Sequence, residues 1–169
     1  QRMEPLLQTV KAAGLNVLEY PVAKEMSGNA AASIAFPCAD SEKSRQLAAD
    51  IVDMYNPKTI ISVETAGPNR KGVKHCCSGT NAETEERLPR MESLFFEAHK
   101  RGIFTIGIID EGNEIGGGTI EEDVRRITPH ADMCLCPCRA GTACAVTTDL
   151  VFPAAISNWG AYGITAMLG

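Results

Sequence analysis

The stretch "IFTIGIIDEGNEIGGGT", residues 103–119, decides the fold. Its first half, 103–110, is a run of β-branched and apolar residues that begins just after Gly102. The run is short and ends in acids and glycines, which reads as a buried strand followed by a loop. Thr119 then opens "TIEE", with Thr119 as N-cap and Glu122 three residues on, the pattern of a capping box at a helix start. Gly112 and Gly117 carry the spacing of a phosphate loop, but Gly118 stands where that loop needs lysine. Asp110, Glu111, Glu114, Glu121, Glu122 and Asp123 would also repel a phosphate. The glycines therefore serve unusual backbone angles or close approach of other groups.

Working outward, "LNVLEY" (15–20), "SIAF" (33–36), "TIISVE" (59–64) and "DLVFPA" (149–154) are further short apolar runs. Between them, 41–55 has Leu47, Ala48, Ile51 and Val52 at helical spacing before Asn56-Pro57, and 88–102 aligns Met91, Leu94, Phe95 and Ala98 before Gly102. Alternating strands and helices predict an α/β fold, a three-layer αβα arrangement around a mostly parallel, Rossmann-like sheet. The length of 169 residues predicts a single domain over 1–169. In such folds ligands lie beyond the carboxyl ends of the strands. That rule selects the loops after Glu64 and Asp110 and the turn into "SNWG" (157–160).

The balance of charge narrows the partners. A net charge of −5 without a Lys/Arg-rich run argues against nucleic acid and anionic membrane. No apolar run is long enough for a membrane helix, and the first residues lack the pattern of a signal peptide. The expected location is the cytoplasm. Seven cysteines, an odd number, then read as reduced thiols and not as a secreted disulfide framework.

The loop 65–79 gathers Arg70, Lys71, Lys74 and His75 after Glu64. It reads either as a solvated basic turn or as a clamp for a carboxylate, with Glu64 or His75 available for proton transfer. Asp110 and Glu114 suit an ammonium group, a divalent cation such as magnesium, or acid/base work; no cofactor is required. Asn113, Gly116 and Gly117 line the same loop as candidate substrate contacts. Ser157 or Asn158 can cap a last helix whose free N–H groups would face an anion, with Trp159 as a pocket wall or packing residue.

Cys134, Cys136, Cys138 and Cys144 place four thiols where zinc or an iron–sulfur cluster could bind. The spacing speaks against it. In an extended segment, side chains two residues apart lie roughly 6 to 7 Å from each other, whereas sulfurs around one tetrahedral zinc lie about 3.8 Å apart. His75 beside Cys76 and Cys77 also raises the possibility of a thiolate nucleophile.

Taken together, "RGIFTIGIIDEGNEIGGG", the later "SNWGAYG" and the earlier "ETAGPNRKGVKHCCSG" resemble the C-terminal domain of the D-glutamate cyclase family, which includes stand-alone bacterial proteins carrying a domain of unknown function. The likeness covers roughly residues 45 to 169. It implies a lyase that dehydrates D-glutamate to 5-oxo-D-proline. For that reaction Arg70 or Lys74, with the N–H groups near Asn158, would hold the carboxylates, Asp110 or Glu114 would bind and deprotonate the amine, and Glu64 or His75 would protonate the departing oxygen; Asn113, Gly116, Gly117, Ser157 and Trp159 complete the expected substrate contacts. The family pattern opens with a further strand–loop–helix unit and ends in a longer last helix, so the chain is expected to be a fragment. The alternative is a domain that binds a small acidic amino acid or lactam without catalysis or with another specificity. Self-association is the one macromolecular contact expected.

Overall fold

The computed structural model describes residues 3–26, 28–38, 40–80 and 88–168. The chain divides into two compact units, Gln1–Phe36 and Pro37–Gly169. The first holds α1 (Met3–Ala12), β1 (Asn16–Leu18), α2 (Tyr20–Glu25) and β2 (Ala30–Ala32), with β1 and β2 paired in parallel from Asn16↔Ala30 to Leu18↔Ala32. The strand expected at 33–36 is displaced: pairing falls on 30–32, and residues 33–37 are irregular. Three alanines match the three-residue length of β1, and neither the Ile34 nor the Phe36 side chain is needed to form the ladder.

The second unit contains α3 (Ser41–Tyr55), β3 (Thr59–Val63), α4 (Glu92–Lys100), β4 (Phe104–Ile109), α5 (Glu121–Ile127), β5 (Leu150–Pro153) and α6 (Ser157–Leu168). Its sheet has the order β3-β4-β5, all parallel. The fold class is mixed α/β with parallel strands flanked by helices, as the alternation predicts. The local signals of α3 explain its limits. Asp40 accepts the Lys43 amide at 3.0 Å as N-cap, and Asn56 closes the helix in the left-handed region at φ 42°. Ser44, Ala48 and Val52, four residues apart, form its buried stripe.

Strand register separates the two faces of the sheet. Ile108 lies on the face that meets α6, where a methyl added at Gly160 would come within 2.9 Å of it. Ile60 lies on the opposite face, against a core of Phe95, Ile115, Cys144 and Val146. Each fully buried side chain of this size contributes about 1.5–3 kcal/mol. Helix α4 begins at Glu92, later than the expected residue 88, because the segment holding Pro89 precedes it outside the helix.

The capping box at Thr119 is not formed. Gly117–Ile120 is a 3₁₀ turn, α5 starts at Glu121, and the Thr119 hydroxyl instead donates to Thr148 O and accepts from Thr148 N, both at 2.9 Å. Close packing is the reason. The loop folds back on β4 so tightly that a Cβ on Gly107 would sit 2.6 Å from Ile115 O and 2.7 Å from the Gly116 Cα. Gly116 itself has φ 110°. These glycines are placed by approach of backbone to backbone.

Substituting Gly107→Ala therefore overpacks the joint between β4 and the loop. Urea denaturation should register a loss of about 1–3 kcal/mol, the usual cost of forcing an extra methyl into a packed interior. A wild-type midpoint for the variant would remove the packing account of this glycine.

Candidate active site

The parallel order β3-β4-β5 brings three strand ends together. Glu64 follows β3, Asp110 follows β4, and Ser157 opens α6 after β5. The surrounding loops are laced by backbone bonds. Gly67 N donates to Asn113 O, Ile115 N to Thr65 O, Cys144 N to Gly112 O, and Ala145 N to Pro68 O, each at 2.8–2.9 Å. Gly116 N and Gly118 N both donate to Val146 O, and Gly117 N to Glu114 O. The amides a phosphate would need are thus already used.

One oxygen from each of Glu64, Asp110 and Glu114 lies within 4.8 Å of the others. The three groups sit in different surroundings. Glu114 is 2% exposed and accepts from Gly112 N at 2.8 Å and from Asp110 N and Glu111 N at 3.3 Å. Burial, then its hydrogen bond with Asp110, pushes its pKa up to about 7 against the pull of those amides. Burial likewise pushes Asp110 up, but hydrogen bonds from Glu114, the Ser157 amide and Glu64 outweigh it and hold Asp110 below the ordinary carboxyl value. The Ser157 N–H, at 3.2 Å from Asp110 Oδ2, is the first amide of α6. The helix N-terminus expected to face a substrate anion is directed at Asp110. Glu64 is raised by burial and by the charge of Asp110, against the pull of the nearby Ser157 hydroxyl. Its backbone stands at φ 52°, a left-handed conformation that a glutamate adopts only under constraint.

The basic loop is arranged differently from a simple clamp. Lys74 is 5% exposed, pairs with Glu92 at 2.8 Å and donates to Pro89 O at 2.7 Å. Arg70 is exposed and pairs with Glu121 at 2.8 Å. Lys71 donates to Cys138 O at 2.9 Å. His75, 1% exposed, is directed at the sulfurs of Cys136 and Cys138, with Nε2 at 3.2 and 3.6 Å. Asn113 spends its side-chain amide on His75 O at 2.9 Å. Asn158 and Trp159 are exposed on α6.

Two residues that sequence reading passed over hold this region. Glu92 is buried as the partner of Lys74, and a carboxylate in the first turn of a helix gave no sign of it. Asn69, 3% exposed, accepts from Lys71 N and Val73 N and donates to Gly141 O. Its place after Pro68 in a turn was the available signal. Asp149 accepts the amide and hydroxyl of Thr105, both at 2.8 Å, and joins two strands.

Adjacent strand ends of this α/β domain thus converge on three carboxylates, of which Asp110 and Glu114 are shifted in opposite directions by their surroundings. The profile of the D-glutamate cyclase-like C-terminal family matches residues 3–169, and the chain belongs to that family. It is similar to the mitochondrial D-glutamate cyclase of Homo sapiens, at 28% identity over 158 residues. That match covers 92% of this chain and 22% of the human protein, so the chain spans about a fifth of that relative's length. No helix among the described residues is long and apolar enough to cross a membrane.

The raised pKa of Glu114 links stability to pH. The folded state keeps a proton that the unfolded chain releases near 4.5, so the stabilisation is complete below about pH 4.5 and is lost as pH rises through about 7. The unfolding free energy should fall across that window by up to about 1.4 kcal/mol per pH unit for one proton. Glu114→Gln should flatten the slope; an unchanged slope would assign the proton elsewhere.

Lys74→Met leaves buried Glu92 with only the longer pairing to half-exposed Arg90, at 3.6 Å, and should cost up to about 3–5 kcal/mol in thermal or urea unfolding. Pairing it with Glu92→Leu should recover most of that loss. If the single variant keeps full stability, the buried pair is not a structural element.

Proposed function

We propose that the Glu64, Asp110 and Glu114 cluster binds a small acidic amino acid and cyclises it in the manner of a D-glutamate cyclase, converting D-glutamate to 5-oxo-D-proline and water. The observation that carries this reading is the opposed environment of two neighbouring carboxylates with oxygens within 4.8 Å, Asp110 held below the ordinary carboxyl value and Glu114 pushed up to about 7. Neighbouring groups driven apart in this way mark acid and base roles.

The chemistry asks for such a pair. The bond that forms joins the α-nitrogen to the carbon of the side-chain carboxyl group, and the bond that breaks is one of that carbon's bonds to oxygen. The ammonium must lose two protons, and the departing oxygen must gain two to leave as water. Asp110, ionised, pairs with the ammonium and orients it. Glu114 and Glu64, with raised pKa values, exchange protons between nitrogen and oxygen. His75 and Lys74 are buried and committed to other partners, so the proton-transfer role falls to Glu64, and the substrate's anionic end to Arg70, an exposed cation of the loop that would keep or exchange its pairing with Glu121. The three carboxylates are oxygen donors of the kind a divalent cation such as magnesium prefers, and a cation there would add positive charge beside the substrate's carboxylate.

Proton NMR of the protein with D-glutamate, L-glutamate and 5-oxoproline tests this directly. Turnover of D-glutamate is expected, with Asp110→Asn and Glu114→Gln each lowering kcat/KM by about 10²- to 10⁴-fold, the range of general acid/base catalysis. Binding of an acidic amino acid or lactam without turnover would instead favour a recognition domain. Absence of both would exclude the cluster as a site for such ligands.

A further inference from the structure

The candidate active site leaves unused a compact set of metal-ligating groups. Cys134 Sγ lies 3.4 Å from Cys136 Sγ and 3.3 Å from Cys138 Sγ. His75 Nε2 lies 3.2 Å from Cys136 Sγ and 3.6 Å from Cys138 Sγ, and all four donor atoms fall within 4.8 Å of one another. The cysteines are free thiols. Their separations lie well beyond a disulfide bond of about 2.05 Å and near the spread of about 3.8 Å between sulfurs on one tetrahedral zinc.

The expectation that a C-x-C-x-C run spreads its thiols too widely fails for a local reason. Residues 131–141 form no strand. The chain turns at Pro137, where Arg139 N donates to Cys136 O at 3.2 Å, and Arg139 takes a left-handed φ of 54°. The turn folds alternate thiols inward. The fourth donor is His75, reached across 59 or more residues of sequence, in place of Cys144. Cys144 lies in the apolar core with Phe95 and Ile115, its thiol pushed up to about 12 by burial.

The surroundings are those of a ligand set. His75 Nδ1 faces Val73 O at 3.1 Å, an arrangement that places the proton on Nδ1 and leaves the Nε2 lone pair for a metal. The Asn69 amide approaches Cys138 Sγ at 3.5 Å, and Lys71 holds Cys138 O at 2.9 Å. Cys134, Cys136 and His75 are buried. We propose that His75, Cys134, Cys136 and Cys138 form a closed, four-coordinate zinc site that fastens the loop after β3 to the 134–138 turn. With four protein donors, zinc there has a structural role and no open position for substrate. Because Asn113 donates to His75 O, the same site fixes one end of the acidic loop.

The test is metal analysis of the full chain, produced without a histidine tag and purified under reducing conditions without chelator. About one zinc per chain is expected. Replacement by cobalt(II) should give the intense visible bands of tetrahedral cobalt with thiolate charge transfer. Cys136→Ser and His75→Ala should lose the metal, whereas Cys76→Ser, Cys77→Ser and Cys144→Ala should keep it. Because a ligand variant can misfold, the wild-type cobalt spectrum and protection of three thiols from alkylation until chelator is added provide an independent reading. Free alkylation of Cys134, Cys136 and Cys138 in the folded protein as purified, before any chelator, a disulfide within the turn, iron with inorganic sulfide, or zinc retained by His75→Ala and lost by Cys144→Ala would each overturn the assignment. None of these readouts depends on turnover of an amino acid.

Discussion

The burial of Glu114 is the constraint on which the rest of the second unit depends. A carboxylate taken out of water must be given hydrogen bonds or a proton, and here it has both. Three consecutive amides, those of Asp110, Glu111 and Gly112, point at it, so the chain leaving β4 must curl around its own side chain. That curl brings residues 114–118 back over β4, and only glycine at 107 and 116 lets the backbones meet. Once the loop lies there, its remaining amides reach Val146, and the segments after β3 and β4 and before β5 become one laced body.

The same burial gives the site its chemical asymmetry. Asp110 and Glu114 are four residues apart, yet one faces the first amide of α6 and the other faces the interior. A helix N-terminus favours the ionised carboxylate, and a dry pocket disfavours it. The pair is therefore poised with one charge and one exchangeable proton. Under the proposed function, a substrate ammonium entering beside Asp110 would complete the neutralisation that α6 begins, and the helix would act on the substrate through a carboxylate and not by contacting a substrate anion itself.

What the sequence made legible was whatever depended on short-range pattern. The strands at 59–64, 103–110 and 149–154 and the helix over 41–55 each appear within a residue or two of their apolar runs, because β-branched clusters and a four-residue stripe have few other uses. The rule that ligands gather at strand ends found Glu64, Asp110, Glu114 and Ser157 together. What stayed hidden depended on partners distant in sequence. Lys74 reads as a surface cation until Glu92 arrives from another helix, and His75 reads as a proton carrier until a turn some sixty residues later presents sulfurs to it. Thr119 carried a true capping pattern, overruled because its hydroxyl met Thr148 first. The strand missed at 30–32 is three alanines, and alanine carries no strand signal of its own.

Asn113 joins the two polar clusters of the second unit. Its carbonyl accepts from Gly67 and its side chain donates to His75 O, so it is bound on both sides to the loop after β3. Any displacement of His75 moves the carbonyl that holds Asn113, and Asn113 is adjacent to Glu114. The thiol–imidazole cluster and the carboxylate cluster are thus coupled through one residue whose own side chain does no chemistry. The three strands that this sheet has among the described residues offer little area over which to fix long loops by apolar packing alone. Polar groups with defined geometry take over that task, and the precision of the acidic site rests on them.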